Sequence, residues 1–253
     1  MSTSVLTEVS GDVTTVTINR PESLNALNQE TFQAIGAAVA EAAANSRALV
    51  LTGSDRAFSS GADLRGEAAT DASIDLAGAN DIIRSIIDAP IPTLAAVSGP
   101  AAGIGCSLAL ACDYVVMSEE SYLMLPFTKI GLMPDGGATA LVAASAGRHR
   151  ALRMALTAEK LHAADAYAWG LASEVASAGE QLNRAKELAA QFAQGAPQAL
   201  AASKQAINES SLTSLDDAFD REVDGQAGLR ASRDFSEGVA AFVGKRAPKF
   251  TGE

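Results

Sequence analysis

The stretch Thr93–Met117 is the most apolar part of the chain and is long enough to span a bilayer. It is broken by Ser98-Gly99-Pro100 and by Asp113, and the run before Gly103 is short. Those breakers suit a buried strand, a turn, a helix and another strand better than one membrane helix. The segment therefore reads as a strand at Thr93–Val97, a helix at Gly103–Ala111 and a strand at Tyr114–Met117.

The same alternation runs through the first half of the chain. Val5–Val9 and Val13–Asn19, rich in β-branched residues and separated by Ser10-Gly11-Asp12, form a predicted hairpin. Asn28 caps a predicted helix to Asn45, with Phe32, Ile35, Val39 and Ala43 on one stripe. Ala48–Thr52 reads as a buried strand, and Ser73–Ala89 as a helix carrying Ile82, Ile83, Ile86 and Ile87, stopped by Pro90 and Pro92. Ser121–Leu125 is a short extended piece. From Gly136 the chain turns alanine-rich and helix-prone, with predicted helices at 137–146, 148–156, 163–169, 180–193, 197–209, 215–230 and 232–243, and one short strand near Ser173–Ala176. Strands alternating with helices, then helices alone, predict an α/β fold: a core over 1–195 and a helical region over 196–253.

Thirty acidic residues against 19 basic ones leave a formal charge of −11. A chain of that sign is a poor partner for a phosphate backbone, so nucleic-acid binding is not expected. Cys106 and Cys112 lack CxxC spacing and read as small core residues, so neither a disulfide framework nor a metal site is expected. The opening MSTSVLTEVSGD has no basic and apolar regions of a signal peptide. A cytoplasmic protein without a membrane segment is the expectation.

Three loops carry candidate chemistry. Arg56–Leu64 follows a strand and contains Ser59-Ser60-Gly61-Ala62-Asp63, a backbone that can turn sharply and expose amides. Val97–Leu108, with Gly99, Gly103 and Gly105, leads from a strand into a helix, whose free N–H groups can hold an anion or a developing oxyanion. It lacks a dinucleotide fingerprint, and no GxxxxGK[ST] occurs anywhere. Ile130–Gly137 places Asp135 before two glycines at a helix start, where local chemistry favours an N-cap.

In this order and spacing, the three segments resemble the crotonase family, the enoyl-CoA hydratases/isomerases. The likeness begins at Ile18-Asn19-Arg20-Pro21-Glu22-Ser23-Leu24-Asn25-Ala26-Leu27. It ends with Ser232-x-Asp234-x-x-Glu237-Gly238-x-x-Ala241-Phe242-x-x-Lys245-Arg246-x-Pro248-x-Phe250. The resemblance implies a crotonase-like spiral of ββα turns with a C-terminal helical trimerisation region, assembled as a homotrimer or hexamer. It implies an acyl-CoA thioester as substrate, with no cofactor beyond the coenzyme A that carries it. The amides of Ala62 and Ile104 would polarise the thioester carbonyl; the family often has glycine at the latter position, but the amide is what matters. The substrate would be lined by Leu24, Ala26, Ser60, Gly61, Asp63, Leu64, Gly103, Ser107, Phe127 and Met133. Arg20, Arg56, Arg65, Lys245 and Lys249 are the candidate partners of the coenzyme's phosphates.

The family's hydratases activate water with two glutamates; those positions read Ser107 and Phe127 here. Neither side chain is a useful base at neutral pH, so efficient hydration is not expected. Some family isomerases place an aspartate where this chain has Asp135, and one carboxylate can move a proton between C2 and C4 without bound water. The leading expectation is therefore double-bond isomerisation with Asp135 as proton shuttle. The rivals are an enoyl-CoA hydratase of fatty-acid metabolism and a non-catalytic acyl-CoA-binding member. Ser107 is expected to bond backbone and Phe127 to wall the acyl pocket or core; His149 and His162 have no assigned chemistry, and Trp169 is expected to anchor a helix in the core.

Overall fold

The computed structural model describes residues 3–64 and 75–253. Arg65 and the expected helix start at Ser73 lie outside them. A main sheet has the order β1(Val5–Ser10), β2(Val13–Ile18), β3(Ala48–Thr52), β4(Thr93–Val97), β6(Tyr114–Ser118), β9(Glu174–Ala176). The β1–β2 hairpin is antiparallel, and every other pairing in that sheet is parallel. All of β3 and β4 is buried, as expected of strands covered on both faces.

Strand alternation divides the core in two. Val13, Ala48, Val50, Leu94, Ala96 and Val116 pack under Ala185, Leu188 and Ala189 of α7(Gln181–Ala193). On the opposite face, Val16, Leu49, Leu51, Ala95 and Met117 belong to a larger cluster with Phe32, Ile35 and Val39 of α1(Gln29–Asn45) and Ile83 and Ile86 of α2(Leu76–Ile87). Asn28 caps α1 as expected, its side chain accepting from Thr31 N at 2.9 Å. The fully buried position at that helix's end is Ala42; Ala43 is only half-buried. A small second sheet joins β5(Pro100–Ala102), β7(Tyr122–Met124) and β8(Leu161–His162). The extended piece near residue 122 thus belongs to this sheet, and β5 lies inside what reads in sequence as a turn.

The C-terminal helices fold back on this core. Those after β7 are α4(Ala138–Ala146), α5(Arg148–Thr157), α6(Ala163–Trp169), α7, α8(Pro197–Ser211), α9(Leu215–Arg230) and α10(Arg233–Val243); α3(Ile104–Leu110) precedes β6. α9 packs on α2 and α4, and α10 on the 3-10 turn Pro126–Ile130. Trp169, half-buried at the end of α6, packs against the edge of the large cluster, with the guanidinium groups of Arg150 and Arg153 over its ring. No helix among the described residues is long and apolar enough to cross a membrane.

Asp113, which interrupts the apolar stretch, ties α8 to the sheet. Its Oδ2 lies 2.9 Å from Lys204 Nζ and accepts from Thr93 N at 2.8 Å. The same ammonium donates to Ile86 O and Ile91 O, and Asn208 Nδ2 donates to Ile87 O, so α8 closes the C-terminal end of α2. Burial raises the Asp113 carboxyl above its ordinary value, and Lys204 opposes that shift. Replacing Lys204 with Met leaves this carboxylate without its cation, and is expected to cost about 3 kcal/mol in denaturant unfolding. Adding Asp113→Asn is expected to return part of that loss; additive losses from the two changes would show that the pair is not coupled.

Candidate active site

The two glycine-containing loops are stitched edge to edge by backbone hydrogen bonds. Phe58 N donates to Ser98 O, Ser59 N to Pro100 O, and Ala102 N to Ser59 O. The segment after Arg20 joins on the other side: Ser60 N donates to Leu24 O, Leu27 N to Gly61 O, and Asp63 N to Leu27 O. Asn25, fully buried, accepts from Arg20 N and donates to Ala57 O. That opening motif therefore locks the loop that carries Ala62.

Gly61 and Gly103 sit where these loops touch. Both have positive φ, 95° and 55°. A methyl on Gly61 would lie 2.9 Å from Ala102 O, so a side chain there would pry the loops apart. Gly103 precedes α3, and its N–H donates to Met124 O. Among the described residues, the next amide on each loop, Ala62 N–H and Ile104 N–H, donates to no protein acceptor. Ile104 N–H is at the first position of α3, where the chain cannot supply an intrahelical partner.

The turn that carries Asp135 packs against α3 from the other side. A methyl on Gly136 would lie 3.1 Å from Ile104 Cγ1 and 3.0 Å from Ser107 Cβ. Ser107 Oγ donates to the backbone carbonyl of Asp135 at 2.8 Å, so it does bond backbone, but across the site rather than within its own helix. Phe127 is buried with its ring tip toward Gly103, where it forms a wall. Ser107 and Phe127, the positions where the resemblance implies glutamates in hydratases, thus hold a hydroxyl already committed to a carbonyl and a phenyl ring.

Asp135 is not an N-cap. The cap position of α4 is Gly137, and the carboxylate that serves this helix start is Glu222 of α9. Glu222 is fully buried and accepts from Gly137 N at 2.6 Å, Thr139 N at 3.0 Å and Thr139 Oγ1 at 2.6 Å. Burial raises its carboxyl, and these bonds oppose the shift. Asp135, 5% exposed, is bound at Oδ2 by Gln226 Nε2 at 2.7 Å, while its buried Oδ1 has no hydrogen-bond partner among the described residues. Burial pushes the Asp135 carboxyl up to about 7; Gln226 lowers it, Glu222 raises it and Arg230 lowers it.

The remaining expected lining residues take varied places. Leu24 is 36% exposed and Ala26 is buried, while Ser60 and Leu64 are half-buried. Ser60 Oγ donates to Ser23 O. Asp63 is held by Arg20 Nη2 at 2.9 Å, and Arg20 Nη1 also bonds Ala26 O. Arg20 thus braces the loop cluster. Met133 is half-buried, with its thioether against Gly225 of α9. Arg56, Lys245 and Lys249 are exposed. In the C-terminal motif, Ser232 caps α10, Asp234 accepts from Thr251 N, and Glu237 pairs with Arg246, so those residues tie down the tail. Among the described residues, no three His, Cys, Asp or Glu side chains gather as metal ligands would. Cys106 and Cys112 are buried free thiols pushed up to about 12 by burial.

Sequence reasoning missed Glu222 and Gln226. They occupy the buried face of α9 with Leu215, Ala218 and Phe219, and two polar residues one turn apart on an apolar stripe were the available signal.

Nearly the whole chain is similar to known proteins. The family model for enoyl-CoA hydratase/isomerase matches residues 8–253. The chain belongs to that family. It is 40% identical over 248 residues to a protein of Rhodobacter capsulatus named a probable enoyl-CoA hydratase, covering 97% of this chain and 96% of the relative. It is 36% identical over 263 aligned positions to the 1,2-epoxyphenylacetyl-CoA isomerase of Escherichia coli K12, covering 98% of each. The crystal structure of an enoyl-CoA hydratase from Mycobacterium avium subsp. paratuberculosis K-10 superposes with a TM-score of 0.91 at 45% identity, covering 98% of both chains. The protein is a crotonase-fold acyl-CoA enzyme, and its relatives carry hydratase and isomerase names alike.

An aspartate held above its ordinary pKa favours folding while neutral. That stability is complete below about pH 4 and is lost as the pH rises through about 7. Asp135→Asn, which stays neutral, is therefore expected to melt ~5 °C above the parent enzyme at pH 8.5 and close to it at pH 4.5. A melting difference that does not change with pH would contradict the buried-acid assignment.

Proposed function

We propose that this enzyme moves the double bond of a 3-enoyl-CoA thioester into conjugation with its carbonyl. The observation that carries the reading is Asp135. It is a buried carboxyl with one oxygen that has no hydrogen-bond partner among the described residues, on a turn whose Gly136 abuts Ile104 and Ser107, at a site whose two hydratase glutamate positions are Ser107 and Phe127. The E. coli relative named 1,2-epoxyphenylacetyl-CoA isomerase supports isomerisation of a CoA thioester, its own named substrate being an epoxide.

In this reading the thioester oxygen accepts from Ala62 N–H and Ile104 N–H. Ionised Asp135 takes a proton from C2, and the electron pair spreads over C2, C4 and the thioester oxygen as a dienolate. The two amides stabilise the charge on oxygen, each worth about 3–4 kcal/mol in the barrier. The acid then returns the proton to C4, leaving a C2–C3 double bond and a regenerated carboxylate. One proton leaves and one arrives, so no electrons are exchanged and no water is consumed. Gly61 and Gly103 let the loops meet, Phe127 and Ile104 flank the reacting carbons, and Leu24, Ala26, Ser60, Asp63, Leu64, Ser107 and Met133 line or brace the acyl-CoA cleft. A carboxyl with a pKa near 7 is matched to accepting and returning a proton at neutral pH.

The enzyme is expected to convert a 3-enoyl-CoA to the conjugated 2-enoyl thioester. Asp135→Asn is expected to lower kcat by ~10²–10⁴-fold while acyl-CoA still binds. Rapid hydration of crotonyl-CoA by the parent enzyme would favour the hydratase reading. Binding without turnover in both proteins would favour a non-catalytic acyl-CoA carrier.

A further inference from the structure

The amide of Gln226 is fixed by the main chain. Its Nε2 donates to Met133 O at 2.8 Å and to Asp135 Oδ2 at 2.7 Å. A carbonyl oxygen can only accept, so turning the amide over would set Gln226 Oε1 against Met133 O and break both bonds. Gln226 is 1% exposed, which leaves no water-facing alternative for the group. Because Met133 O belongs to the turn that carries Asp135, the amide clamps backbone and carboxyl together.

The clamp distinguishes the two carboxyl oxygens. Oδ2 accepts from Gln226 whether the acid is charged or neutral. Oδ1 has no hydrogen-bond partner among the described residues. The other function open to Asp135, capping α4, is performed by Glu222 one turn earlier on the same helix. Charged groups facing Asp135 are Glu222 and Arg230, both on α9.

We propose that Gln226 is a positioning residue for the proton shuttle, holding Oδ2 of Asp135 so that the transferred proton is carried by Oδ1. This rests on the isomerase reading above and adds that the C-terminal helix α9 sets the geometry of a base presented by another part of the chain. The clamp removes one carboxyl rotation and presents a single oxygen to C2 and then to C4.

Gln226→Met keeps the length of the side chain and removes the donor. The full-length variant, assayed with a 3-enoyl-CoA, is expected to lose ~10–100-fold in kcat with KM within about twofold. Its acid inflection in kcat/KM is expected to move about one unit above the parent value, because a bond that favoured the carboxylate is gone. A residue that only stabilised the fold would lower the melting temperature and leave that inflection in place. Gln226→Glu, of unchanged shape but with an oxygen in place of the donor, is expected to lose a similar factor in kcat with KM within about twofold, and that kcat carries the test if the Met variant does not fold, since its added charge raises the inflection by itself. Folded variants with parental kcat and an unmoved inflection overturn the positioning role. Turnover that needs Asp135 but not Gln226 defeats this inference alone, whereas absence of turnover in the parent enzyme defeats the isomerase reading with it.

Discussion

Two backbone amides have no acceptor among the described residues because of the way two loops are sewn together, and the rest of the site is arranged around them. Residues 57–63 lie between the segment 24–27 and the segment 98–102, and every N–H of that stretch except that of Ala62 has an acceptor among the described residues. The amides of Ala62 and Ile104 escape because each follows a positive-φ glycine, one on a loop and one at a helix start. Unpaired donors on a braced backbone do not have to reorganise when charge develops on an acceptor, which is what gives such groups their catalytic worth.

Around that pair the protein separates duties that a simpler turn would combine. An aspartate before two glycines at a helix start would ordinarily satisfy the helix amides. Here Glu222 does so from α9, and Asp135 stays buried with an oxygen to spare. A buried acid opposes folding as the pH rises, and the surrounding structure must offset it. The Asp113–Lys204 pair and the return of α9 onto α2 and α4 fasten the helical tail that supplies Glu222 and Gln226.

Much of this fold is legible in the sequence, because local chemistry and tertiary burial agree. Asn28 caps its helix, Pro90 and Pro92 follow the next one, and the all-apolar runs at 48–52 and 93–97 are the central strands. The losses are instructive. Strands of two or three residues, Pro100–Ala102 and Leu161–His162, have too little periodicity to be seen and exist only through distant pairing. Arg20 reads as a charge in solvent and a candidate phosphate partner, and its pairing with Asp63, far along the chain, is invisible to local pattern. Trp169 reads as core, yet two arginines of the preceding helix cover its face. The glycine loops and Asp135 carry a family pattern, whereas Glu222 and Gln226 act through contacts that no local motif encodes.

The most direct measurement is a crystal structure of the Asp135→Asn enzyme with a 3-enoyl-CoA bound. The account predicts the thioester oxygen about 3 Å from both Ala62 N and Ile104 N, with C2 and C4 facing side chain 135. A thioester oxygen that meets neither amide, or an acyl chain directed away from residue 135, would contradict it.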